Sequence, residues 1–130
     1  MVDIQVVDTG IIKGGSFSQC LISGNLIFVS GQVGVDPETG TIPETIDEQT
    51  TNTLNNIKAI LEKAGANASN IVKMTVFMTD IAEYQAMSDV YLQFFVDNGA
   101  EERTPTRTTV QVSALSQEGL KIEIDCMAVL

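Results

Sequence analysis

Residues 45–79 read TIDEQTTNTLNNIKAILEKAGANASNIVKMTVFMT, a helix followed by a strand. Thr45-Ile46-Asp47-Glu48 has the T-x-x-E form of a capping box, in which hydroxyl and carboxylate each satisfy a free backbone donor at a helix start. From there Ile46, Thr50, Thr53, Leu54, Ile57, Ile60, Leu61 and Ala64 recur at helical spacing. Asp47 and Glu48 fall in the first turn, Lys58 and Lys63 come late, and Gly65 can take the left-handed conformation that ends a helix. Beyond it, Ile71 to Thr79 alternates as a strand does, with Val72, Met74, Val76 and Met78 on one face. That face is expected to lie under the helices.

Upstream, Phe17 to Ser23 and Leu26 to Ser30 are strand-like runs separated by Gly24-Asn25, which is hairpin chemistry, and Asp36-Pro37-Glu38-Thr39-Gly40 reads as a loop. Downstream, Asp80-Ile81-Ala82-Glu83 offers a second helix cap, and Tyr84, Met87, Tyr91, Phe94 and Phe95 form an apolar stripe read as core. Two further strands, Arg107 to Leu115 and Leu120 to Leu130, are joined by Ser116-Gln117-Glu118-Gly119 and are expected to pair antiparallel. In that pairing Arg107, Thr109, Glu123 and Asp125 share the sheet face away from the helices. Phe77, Met127 and Val129 or Val29 fall on the same side and form too large an apolar patch for water. A homo-oligomer is the expected solution, with the charged cluster in a crevice between subunits.

The chain has 130 residues, of which 44% are hydrophobic and 18% charged, the size and balance of one soluble domain over residues 1–130. Seven Lys plus Arg against 17 Asp plus Glu leave a net charge of -10, so nucleic acid is a poor partner. The absence of His removes Ser-His-Asp and Cys-His mechanisms and most zinc sites, and no metal site is expected. Cys20 and Cys126 lie in no CxxC arrangement and read as reduced core thiols. No apolar run approaches the roughly 20 residues of a membrane span and no basic leader precedes one, which reads as a cytoplasmic protein with no membrane partner.

Arg107 is one of two arginines and follows Thr104-Pro105-Thr106, where proline fixes the start of the strand. Two readings fit it. One is an ordinary ion pair with Glu123 or Asp125; the other is a planar fork holding a ligand carboxylate by two parallel hydrogen bonds. Ser30-Gly31-Gln32 ends a buried strand, where a glycine lets a small ligand approach the backbone.

Gly31-Gln32, Asp36 to Gly40, Asn55 to Leu61, Val72 to Phe77, Tyr91 to Phe95, Thr104-Pro105-Thr106-Arg107 and Ile122-Glu123-Ile124 together resemble the Rid family, the YjgF-type reactive intermediate deaminases, in their arginine-containing deaminase A type. The resemblance implies an α+β, chorismate-mutase-like fold, a mixed sheet with two helices on one face. It also implies a homotrimer with clefts between subunits and no cofactor. The implied activity is that of a 2-iminobutanoate/2-iminopropanoate deaminase, a hydrolase that converts reactive enamine and imine intermediates to 2-keto acids and ammonia. Arg107 matches the arginine that binds the substrate carboxylate, Glu123 the acid near the attacking water, and Ser30 and Gly31 the backbone-lined wall. Phe17, Ser88 and Thr109 stand where tyrosine, asparagine and cysteine are common in the substrate lining. The competing reading is a module that binds or senses small keto acid carboxylates through Arg107 and turns nothing over.

Overall fold

A computed structural model of the chain describes residues 3–10 and 15–130. Thr45 caps the first helix as expected: its Oγ1 accepts from the Glu48 N–H at 3.1 Å, and α1 runs Ile46–Lys63 with Gly65 left-handed behind it (φ 85°). Asp80 caps a short 3-10 turn, Ile81–Glu83, that leads into α2, Tyr84–Asp97. Around these helices lie six strands, β1 (Ile4–Val7), β2 (Cys20–Ser23), β3 (Leu26–Val33), β4 (Ile71–Met78), β5 (Thr106–Gln111) and β6 (Ile122–Val129). They form one mixed sheet in the order β1-β2-β3-β6-β4-β5, in which only the β4–β5 pair is parallel. The α+β expectation holds, and the hairpin about Gly24-Asn25 joins β2 to β3. The short strand β1, three of whose four residues are exposed, has no counterpart in the sequence reading.

The expected antiparallel pairing of the last two strands is wrong. A parallel pair needs a long crossover, and α2 supplies one between β4 and β5. β6 then takes the other edge of β4, so β4 separates β5 from β6. Directly opposed residues point to the same face. Arg107 lies opposite Met74, which lies opposite Cys126, and Thr109 lies opposite Val76 and thereby Ile124. All four of those partners are buried in the core on the helix side. Glu123 instead aligns with Phe77 and Val110, and Asp125 with Thr75 and Thr108. Arg107 and Thr109 therefore face the helices while Glu123 and Asp125 face away, and the single charged cluster read from the sequence does not exist within one chain.

Two smaller corrections follow from the same register. A bulge between Ile71 and Lys73 turns Ile71 rather than Val72 into the core. Val29 is buried among the core residues and does not belong to the outer face. That face does carry Phe77, Met127 and Val129, joined by Leu26 and Phe28 opposite Val129 and Met127.

α1 does more than cover the sheet. Gln49, fully buried, donates from Nε2 to the Pro43 and Gly119 carbonyls at 2.8 Å and accepts from the Lys121 N–H at 2.7 Å. Asn52 and Asn56 donate to the carbonyls of Gly34, Val33 and Val35 at 3.2 Å. One polar stripe of the helix thus holds the chain that leaves β3 and the chain that enters β6, satisfying backbone groups at the ends of those strands. No helix among the described residues is long and apolar enough to cross a membrane.

Candidate active site

Arg107 leaves β5 toward α2. Its Nη2 donates to the Tyr84 hydroxyl at 2.5 Å and its Nη1 to Ser88 Oγ at 3.3 Å. The guanidinium carbon stands 4.7 Å from the centre of the Tyr91 ring and 5.3 Å from that of Tyr84, within cation–π range of both. Its partners are thus neutral hydroxyls and ring faces, and the ion pair with Glu123 or Asp125 is not made. The one ion pair among the described residues joins Lys121 to Glu83. A cation held by neutral groups keeps its full charge for an anion, and two occupied N–H groups leave three of the five in a guanidinium.

The rest of this half is unusual in its orphaned hydroxyls. Thr109 Oγ1 and the Tyr91 hydroxyl are both buried without a hydrogen-bond partner among the described residues. Burial pushes the Tyr91 phenol up to about 12, against the downward pull of the Arg107 charge, with Cys126 adding a smaller upward push. Cys126 is itself pushed up to about 12 by burial, with Asp125 and Cys20 contributing, and both cysteines are buried free thiols as expected.

Glu123 belongs to a second half, on the opposite face. Between Val29 and Gln32 the ladder with β6 slips by a residue, placing Ser30 and Gly31 at a bulge. Ser30 Oγ donates to the Ser18 carbonyl at 2.6 Å. A Cβ on Gly31 would stand 2.8 Å from Glu123 Cδ and 3.0 Å from Cγ, so the carboxyl group lies directly over the glycine. Burial, and then the charge of Asp125, raise the Glu123 pKa above the usual carboxylate value, which makes it a better proton acceptor than an exposed acid. Between the bulge and α1 opens a cavity of about 590 Å³ lined in part by Phe17, Gly31, Gln32 and Asn56; Glu123 is not in its wall.

The structure thus sorts the sequence candidates into two sets. Arg107, Ser88 and Thr109 gather at α2 and β5; Ser30, Gly31 and Glu123 gather at β3 and β6, while Phe17 shares with Gly31 the wall of the cavity that Glu123 does not line. The aromatic stripe of α2 predicts core positions for both Tyr84 and Tyr91. Tyr91 is in the core, at 5% exposure, but Tyr84 is 38% exposed and its hydroxyl serves Arg107. The available signal was spacing: positions 84, 88 and 91 lie on one stripe of a helix. Among the described residues no three or more Asp, Glu or Cys gather as metal ligands.

Residues 11–130 match the family model described as Endoribonuclease L-PSP. A RutC family protein of Pyrococcus abyssi is 44% identical over 115 residues, covering 88% of this chain and 86% of its own. The chloroplastic Reactive Intermediate Deaminase A of Arabidopsis thaliana is 38% identical over 117 residues, 89% of this chain and 59% of its own. Among solved structures, Escherichia coli TdcF with bound serine superposes with a TM-score of 0.90 at 38% identity, over 97% of this chain and 98% of its own.

Proposed function

The chain belongs to the YjgF/Rid family, and we propose that it is an imine deaminase, hydrolysing 2-iminobutanoate and 2-iminopropanoate in clefts that two copies of the chain complete. The observation that carries this reading is the division of the site: an uncompensated guanidinium on one sheet face and a half-buried carboxylate of raised pKa on the other. Neither half suffices alone, and the outer face around Glu123 carries the apolar surface, Phe77, Phe28 and Met127, that a second copy would cover. A head-to-tail contact of this kind closes into a ring, and a homotrimer is the assembly proposed. The relatives support the chemistry through the Arabidopsis deaminase, and a small amino acid is the ligand in the TdcF structure.

In the proposed reaction Arg107 holds the substrate carboxylate by two parallel N–H bonds, with Ser88 and Thr109 beside it and Phe17 and the Ser30-Gly31 backbone forming the opposite wall. Glu123 accepts a proton from water as the oxygen adds to C2 of the protonated imine, giving a tetrahedral 2-amino-2-hydroxy acid. Glu123 then returns the proton to the amino nitrogen. Glu123, a carboxylate again, takes the hydroxyl proton as the C–N bond breaks and the C2 carbonyl forms, and ammonia leaves, carrying that proton into solution as ammonium. A protonated imine is already electrophilic, so orientation and one base suffice, and the mechanism uses no metal or organic cofactor. RNA cleavage, which the family model's description names, fits this chain poorly: its net charge is -10 and it has no His.

The test mixes two inactive variants. Arg107→Lys and Glu123→Gln, each deficient in ammonia release from an imine generated in place by an amino acid oxidase, are unfolded together and refolded at equal amounts. Random assembly pairs an intact Arg107 half with an intact Glu123 half in about one site in four, so roughly a quarter of wild-type activity should return. No recovery refutes the shared cleft. Binding of 2-oxobutanoate to the wild type without accelerated ammonia release would make the chain a carboxylate-binding module instead.

A further inference from the structure

We propose that Tyr84 is a positioning residue: its hydroxyl locks the Arg107 guanidinium in one rotational setting, so that a ligand carboxylate meets one fixed pair of N–H groups. The inference rests on the reading that Arg107 binds a carboxylate, and it concerns how that binding is oriented.

A guanidinium at the end of a flexible side chain is a useful fork only when its plane is held. Two directional contacts hold this one. The bond from Nη2 to the Tyr84 hydroxyl is 2.5 Å long, against 3.3 Å from Nη1 to Ser88 Oγ, so the phenol is the tighter grip. The rings of Tyr91 and Tyr84 stand at 4.7 and 5.3 Å and stack on the guanidinium, but a ring face accepts it equally well with Nη1 and Nη2 exchanged about Cζ–Nε, whereas a hydrogen bond to Nη2 does not. A carboxylate in place of the phenol would grip harder and would also neutralise the cation. A neutral hydroxyl orients the fork and leaves its charge to the ligand. Tyr84 is 38% exposed, so its side chain is not placed there by the demands of the core.

Tyr84→Phe keeps the ring and removes only the hydroxyl. With two arginines in the chain, nitrogen-15 NMR of the guanidinium groups is simple to assign, Arg107→Lys identifying one of them. In the wild type the Arg107 Nη signals should be resolved by slow rotation about Cζ–Nε; in Tyr84→Phe they should merge. The Kd for 2-oxobutanoate and the KM for the imine should each rise about tenfold, equivalent to about 1.4 kcal/mol, while kcat changes by less than about threefold and Tm is unmoved. A purely structural tyrosine would lower Tm and leave the split between KM and kcat unaltered. Unchanged Nη signals in Tyr84→Phe, or a Kd within about twofold of wild type in a protein that binds 2-oxobutanoate, overturn the proposal. If the wild type neither binds 2-oxobutanoate nor hydrolyses the imine, the reading of the site has failed, and the NMR comparison still decides whether Tyr84 holds the guanidinium.

Discussion

Replacing Gly31 by alanine asks one atom to occupy the space beside the Glu123 carboxyl group. The new Cβ would lie 2.8 Å from Cδ, where ordinary contact begins at 3.4 Å, so Cδ must retreat by at least the difference, 0.6 Å, and the nearer carboxylate oxygen by more. Gly31 is not among the glycines with positive φ, so alanine meets no backbone penalty, and the atoms in its way are the far end of a flexible side chain. The fold should therefore survive with Tm nearly unchanged. The base should not, because a displacement approaching 1 Å from productive geometry typically costs about 10²-fold in rate. We expect kcat for imine hydrolysis in Gly31→Ala to fall about 100-fold, well beyond any rise in the Kd for 2-oxobutanoate from the methyl group in the cleft wall, because the carboxylate anchor Arg107 is untouched. Ammonia release and calorimetric binding on the same preparation give both numbers. A variant with wild-type kcat would refute the assignment of Glu123 as the base.

The same substitution at Gly34 should act on the fold instead: its Cβ would sit 2.6 Å from Gln49 Cβ and 2.7 Å from Gln49 Cα and O, which are anchored in α1, so Gly34→Ala should cost about 1–3 kcal/mol in denaturant unfolding. Arg107→Lys should lower kcat/KM roughly 30-fold to several thousand-fold, from the about 2–5 kcal/mol carried by a desolvated, hydrogen-bonded charge pair; activity within about threefold of wild type in a correctly assembled protein would contradict the anchor. With no tryptophan in the chain, the phenolate absorbance should still be rising near pH 12, where Tyr91 ionises, and Tyr91→Phe should remove that part of the rise. Because the unfolded phenol ionises near pH 10, this group's stabilisation is complete below about pH 10 and is lost as pH rises through the folded value, a decline that Tyr91→Phe should remove. Glu123 has a raised pKa, so its contribution to stability is present below the ordinary carboxylate value and lost as pH rises through the folded one; at neutral pH Glu123→Gln should raise Tm while abolishing most turnover, and a lowered Tm would show that the charge is compensated.

The helix over residues 45–65 was legible because a cap, a 3.6-residue period and a terminal glycine all agree, and β4 and β6 because their alternation is nearly unbroken. What the sequence hid was adjacency. Alternation is the same in parallel and antiparallel strands, and Ser116 to Gly119 looks like a hairpin turn although β5 stops at Gln111, leaving residues 112–121 to pass β4 and reach its far edge. One wrong neighbour then put Arg107 and Glu123 on one face. The residues of the site were each recognisable by type and resemblance, but their division between two faces depends on a register no local pattern encodes. Tyr84 was missed for a related reason: a periodic aromatic stripe does not say whether its first ring lies over the sheet or at its edge.

The strand order has a consequence for how the chain is made. β6, the latest of the described strands in chain order, lies between β3 and β4 and, among the described residues, is the one strand that joins the β1-β2-β3 and β4-β5 groups into a single sheet. During synthesis the two groups emerge first, each with a strand edge of unpaired backbone N–H and C=O groups that has no mate until residues 122–129 leave the ribosome. No fragment that stops short of β6 can close the sheet, so completion waits until residues 122–129 have emerged. Premature termination should therefore yield aggregation-prone chains rather than a smaller folded protein, and a nascent chain stalled before Ile122 should remain protease-sensitive over its whole emerged length.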